Sequence, residues 1–283
     1  MEALVRETMA QAEEVGNPRA LALCHHALGA VLQLRGRWLD SARAFHESAR
    51  LCREFDGTFG LVLGEQRVAQ MESAVGLTSE ADQRLNEALR LARRSDSAMV
   101  RAHSLGRIYA TLALNSHEGG DQRGAARYLA RGLAVQREVG ECAGCDVLLY
   151  PSAVPIQIAQ GELEQAAVSC QKAEETARAF RSQSWVAMAR YLVGLLAKAH
   201  EDWTTARVRF KEAAEIFGEL GQPYEQAKAL EELAGTRLAV TPDDGEAGAL
   251  ASQAAARYRE VGAMAKADRA LAAGGSVAAS RGS

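Results

Sequence analysis

Residues 203–223 read WTTARVRFKEAAEIFGELGQP, and the reading of this stretch decides the fold. A small residue, Ala206, is followed four positions on by bulky Phe210 and three further on by small Ala213; a Gly-Gln-Pro turn then closes the segment at Gly221 to Pro223. On a helix these three positions share one face, because side chains three and four apart are neighbours.

The same triplet recurs in both directions. It reads Ser41/Phe45/Ser48, Ala81/Leu85/Ala88, Ala125/Leu129/Gly132, Ala166/Cys170/Ala173 and, degenerate, Ala247/Ala251/Ala254. Successive anchors lie 40, 44, 41, 40 and 41 residues apart. Glycines keep the same phase: Gly36, Gly76, Gly120 and Gly161 precede their anchors by nine positions, and Gly140, Gly221 and Gly262 follow theirs by eleven. A residue tolerant of positive φ belongs just past a helix C-terminus, so the unit is helix, turn, helix, turn. Short side chains let two antiparallel helices approach, while the anchors Phe45, Leu85, Leu129, Cys170 and Phe210 fill the space between hairpins. Stacking buries what one hairpin cannot, so the expected fold is all-α, a right-handed superhelical solenoid of antiparallel helix hairpins.

The period divides the chain into a lone second helix over 1–16, six repeats over 17–57, 58–97, 98–141, 142–182, 183–222 and 223–263, and a tail over 264–283. From Gly274 onward the tail is small and polar and is expected to lack structure. Val15 to Pro18 matches Leu220 to Pro223, which makes 1–16 read as half a repeat.

Leu28 and Gly29, then Gly36 and Phe45, resemble the tetratricopeptide motif, as do Val193 and Gly194 followed by Ala206, Phe210, Ala213 and Pro223. The resemblance covers about residues 1–263. A period near 40 is similar to the longer repeats of large ATP-binding LuxR-type transcription regulators. It implies a groove lined by the first helix of each hairpin: Leu23, His26, Ala30 and Gln33; Leu63, Gln66 and Gln70; Arg107, Ala110 and Leu114; and Met188, Tyr191, Leu195 and Lys198. Members of the family that clamp a terminal carboxylate do so with Lys and Asn, where this chain has His26, Ala30 and Leu34, so that role is not expected. A lining of Met, Leu, Tyr, Gln and Arg suits an amphipathic segment of a partner, although several of these residues could instead pack against the second helices.

The 283 residues are 48% hydrophobic and 24% charged, a globular composition rather than a disordered one. A net charge of −3 argues against a broad phosphate-binding field, so no direct nucleic-acid partner is expected. Only five of the 33 basic residues are lysine, a bias that suggests GC-rich bacterial coding. No basic-then-apolar leader is present, and no run approaches the roughly 18 apolar residues of a membrane span. The chain reads as cytoplasmic with no membrane partner, and its five cysteines as reduced thiols.

Cys142-Ala-Gly-Cys145 is the one motif with chemical promise, a spacing that suits zinc or a redox dithiol. The sequence places no second ligand pair at a suitable interval, which leaves an ordinary interhelix loop as the plainer reading. His103, His117, Trp38 and Trp203 read as packing or groove residues, and neighbouring His25 and His26 point to different faces. Pro151 and Pro155 fall where a first helix should run and predict either a shortened helix or a kink. Glu residues opposite Arg and Lys, as in Arg43/Glu47 and Lys211/Glu215, read as solvated helix surface. No phosphate loop, nucleophile elbow or zinc-protease helix occurs.

The expected function is therefore non-catalytic and cofactor-free: a protein- or peptide-binding module, the sensor or scaffold part of a bacterial signalling or transcription regulator. The partner is a protein segment, which includes another domain of the same regulator. A small-molecule effector in the groove is the alternative, a redox or zinc role at Cys142 and Cys145 a further one, and a homo-oligomer is compatible with either.

Overall fold

The computed structural model describes residues 1–140, 142–242 and 244–279. Fourteen helices follow one another without a strand among these residues. They are α1 (Glu2–Glu14), α2 (Pro18–Leu34), α3 (Trp38–Glu54), α4 (Thr58–Ala74), α5 (Thr78–Arg93), α6 (Ala98–Glu118), α7 (Gln122–Val139), α8 (Ala143–Ala159), α9 (Leu163–Phe180), α10 (Gln183–Ala199), α11 (Trp203–Glu219), α12 (Pro223–Val240), α13 (Gly245–Glu260) and α14 (Met264–Ala279). The chain is an all-helical repeat protein of stacked hairpins, in two compact units that divide between Cys145 and Asp146.

In the first unit α2 pairs with α3, α4 with α5 and α6 with α7, and α1 packs on α2. Even-numbered helices also touch one another, α2 against α4 and α4 against α6, so they form a continuous layer. The second unit repeats the plan with α10/α11, α12/α13 and α14.

Anchors and small residues do the packing. Phe45, Leu85, Leu129, Cys170 and Phe210 are all buried. A Cβ built at Gly194 would stand 2.7 Å from the Phe210 ring, so the bare backbone there is what admits the anchor. Ser41 and Ser48 are buried hydroxyls that donate to the carbonyls of Gly29 (2.7 Å) and Ala22 (2.8 Å), stitching α3 to α2. The glycines that end helices, Gly36 and Gly221 among them, carry positive φ.

Three local expectations need correcting. Helix α8 is not shortened: it runs through both Pro151 and Pro155. Each interior proline costs about 3 kcal/mol, but Leu149, Val154 and Ile156 are fully buried, and burying such side chains contributes about 1.5–3 kcal/mol each. The stretch from Gly274, read as structureless, is helical through Ala279; 280–283 lie outside the described residues. Arg43 pairs with Asp40 and Glu47 with Arg50, three apart rather than four. No helix among the described residues is long and apolar enough to cross a membrane.

Candidate functional site

The even-numbered layer of the first unit carries an unusual set of polar groups. Helix α2 starts cleanly, with Asn17 Oδ1 accepting from the Arg19 and Ala20 amides ahead of Pro18, and α6 starts on Ser97, which accepts from the Val100 amide. His26 and Gln33 on α2, Gln66, Arg67 and Gln70 on α4, and Arg107, Thr111 and Asn115 on α6 are brought together.

Their hydrogen bonds run across the layer. Gln66, 0% exposed, donates through Nε2 to Thr111 Oγ1 at 2.8 Å and accepts from Arg107 Nη2 at 3.4 Å. Thr111 in turn donates to the Arg107 carbonyl. Arg107 Nη1 donates to the Gly144 carbonyl at 2.6 Å, and Arg67 Nη1 reaches Gln33 Oε1 at 3.4 Å.

The network is incomplete in one direction. No carboxylate among the described residues forms an ion pair with either Arg67 or Arg107, although Arg107 is only 6% exposed. Among the described residues, five covered side-chain atoms have no hydrogen-bond partner: His26 Nδ1, Arg67 Nε, Gln70 Oε1, Arg107 Nε and Asn115 Nδ2. All five lie on α2, α4 and α6. A buried group left unpaired costs about 1–3 kcal/mol, more if charged. Burial, reinforced by the Arg107 charge, pulls the Arg67 guanidinium down to about 9, and burial pulls Arg107 down to about 10. Both remain charged at neutral pH, and the depression registers how poorly the fold itself solvates them. Burial, then the charges of Arg67 and Arg107, lowers His26 to about 4, so its ring is neutral.

Two other cations are compensated by carboxylates. Lys198 on α10 bonds Glu232 at 2.7 Å, and Arg84 is held between Glu65 and Glu72 in a concavity of about 610 Å³ on another face of α4. In that concavity the Arg84 charge is already neutralised by carboxylates of this chain, Glu72 binding it through both oxygens.

A second cluster adjoins the first. The α6 residue His103 places Nδ1 3.2 Å from Cys142 Sγ and 3.5 Å from Cys145 Sγ, and the two sulfurs are 2.6 Å apart. His103, read from sequence as a packing residue, is thus a third donor beside the Cys-x-x-Cys pair. Only the fold brings it there, 39 residues from Cys142. Gly144 makes the approach feasible, because a Cβ there would lie 2.7 Å from His103 Cε1. Phe59 packs edge-on against the imidazole at 5.5 Å.

The residues expected to line the groove divide into three kinds. Leu23 is 71% exposed and free to contact a partner. His26, Ala30, Gln33, Leu63, Gln70, Leu114, Met188, Tyr191, Leu195 and Lys198 are partly exposed. Gln66, Arg107 and Ala110 are buried within the layer. Arg67, which lies between two expected positions, and Asn115 were missed; α4 also carries Glu65 and Glu72, so nothing local marked Arg67 out.

No protein-family model matches the chain, and no curated protein is similar to it. Among solved structures the chain is similar to BtubC (BKLC) from P. vanneervenii, with 23% identity, a TM-score of 0.51, and 88% of this chain and 93% of that one covered. The likeness supports the helical-repeat fold.

Proposed function

We propose that the chain is a non-catalytic, tetratricopeptide-type binding module that takes an acidic segment of a protein partner against α2, α4 and α6, as the sensor or scaffold part of a bacterial signalling or transcription regulator. One observation carries the reading. Arg67 and Arg107 sit in the even-numbered layer with no carboxylate among the described residues to pair with, amid unpartnered donors on Asn115 and both guanidiniums. A carboxylate from outside would supply the missing charge, and guanidinium to carboxylate is among the stronger charge-assisted bonds. Leu23, exposed on α2 of the same layer, suits a segment that is acidic on one side and apolar on the other.

The test is fluorescence anisotropy with labelled peptides of acidic, neutral and basic composition on a common amphipathic frame. Acidic peptides bind, and Arg67→Met weakens them at least about tenfold, the least expected from removing one charge-assisted bond. Equal binding of all three sets, or acidic binding untouched by Arg67→Met, overturns the reading.

The covered position of the unpartnered atoms favours a second reading, a small carboxylate or phosphate effector held by the same groups. Native mass spectrometry that finds such a compound retained on the purified chain selects it over the peptide.

A further inference from the structure

We infer that His103, Cys142 and Cys145 form a binding site for a thiophilic divalent metal ion, zinc being the natural occupant. The three ligand atoms lie within 4.8 Å of one another, two from one turn at the start of α8 and one from α6. Around a tetrahedral zinc, bonds of about 2.3 Å to sulfur and 2.0–2.1 Å to nitrogen place sulfur and nitrogen about 3.5 Å apart and the two sulfurs about 3.8 Å apart. The nitrogen-to-sulfur distances of 3.2 and 3.5 Å already match. The sulfurs, at 2.6 Å, need to open by about an ångström, a side-chain rotation on a turn where Cys142 is half-exposed.

Three features distinguish this cluster from a mere thiol pair. A disulfide has no use for an imidazole whose Nδ1 faces both sulfurs, whereas a metal site does. Gly144 leaves the space that the ring occupies. Arg107 Nη1 clamps the Gly144 carbonyl, which fixes the turn between the two cysteines as an outer partner of a metal ligand set does. Binding releases two thiol protons to water, so zinc with two thiolates and a neutral imidazole is uncharged and tolerates the nearby guanidinium. The fourth position is left to water, as in open zinc sites with three protein ligands. This inference is independent of the peptide-binding reading.

The experiment uses the full chain, reduced with a phosphine and stripped of metal, then titrated with cobalt(II) as the probe and back-titrated with zinc. One equivalent of cobalt gives an intense near-ultraviolet thiolate charge-transfer band and the visible bands of tetrahedral coordination, and zinc abolishes both. Cys142→Ser and His103→Ala, with helical circular dichroism unchanged, each lower zinc affinity more than about a hundredfold, beyond the effect of losing an outer partner. Absence of the charge-transfer band, tetrahedral binding that survives His103→Ala, or recovery of the two cysteines as a disulfide after purification with zinc present and reductant maintained, overturns the site.

Discussion

At the scale of single residues, the chain separates those that hold the hairpins from those the hairpins hold in place. Phe210 belongs to the first kind, fully buried against the bare backbone of Gly194. Phe210→Ala is expected to destabilise the chain by about 3–5 kcal/mol, and an unchanged urea midpoint would contradict its anchoring role. His26 belongs to the second kind. Its folded pKa of about 4 lies below the unfolded value near 6.5, so the unfolded chain binds the proton more readily. The His26 contribution to stability is therefore constant above about pH 6.5 and falls between there and about pH 4. The loss attributable to His26 is at most about 3 kcal/mol. His26→Gln should remove that component, and identical pH profiles for the two proteins would show that the ring is not held neutral. The anchors were legible in the sequence because volume at a fixed period is a one-dimensional signal. The unpartnered state of Arg67 was not, because it depends on which carboxylates the fold leaves elsewhere.

At the scale of elements, the stitching of α3 to α2 by Ser41 and Ser48 explains why small polar residues replace alanine in that triplet. Ser48→Ala removes a buried hydroxyl bond of 2.8 Å to the Ala22 carbonyl and should lower stability by about 0.5–1.5 kcal/mol. A rise in the urea midpoint would mean that the hydroxyl contributes nothing there. Helix alternation was readable from the triplets and glycines, since both report local geometry. Shortening of α8 was expected because its prolines are a local penalty, while the burial of Leu149, Val154 and Ile156 that outweighs it is tertiary. His103 was missed for the same reason: nothing local ties α6 to the Cys142 turn, and the pairing spans 39 residues of sequence.

At the scale of the molecule, the repeat plan makes every hairpin a variation on one scaffold, and variation against that plan marks function. In the second unit's layer Lys198 pairs with Glu232, whereas no carboxylate among the described residues pairs with Arg67 or Arg107 in the first unit. A scaffold needs no uncompensated charge, and the proposed function gives these two residues a ligand to serve. The measurement that tests this most directly is urea unfolding of Arg67→Met beside the parent, without any ligand. Arg67 gives the scaffold only a long bond to Gln33, so the account predicts an unchanged or raised midpoint. A loss of more than about 1 kcal/mol, the worth of an ordinary hydrogen bond, would make the guanidinium part of the structure and remove the reason for placing a partner there.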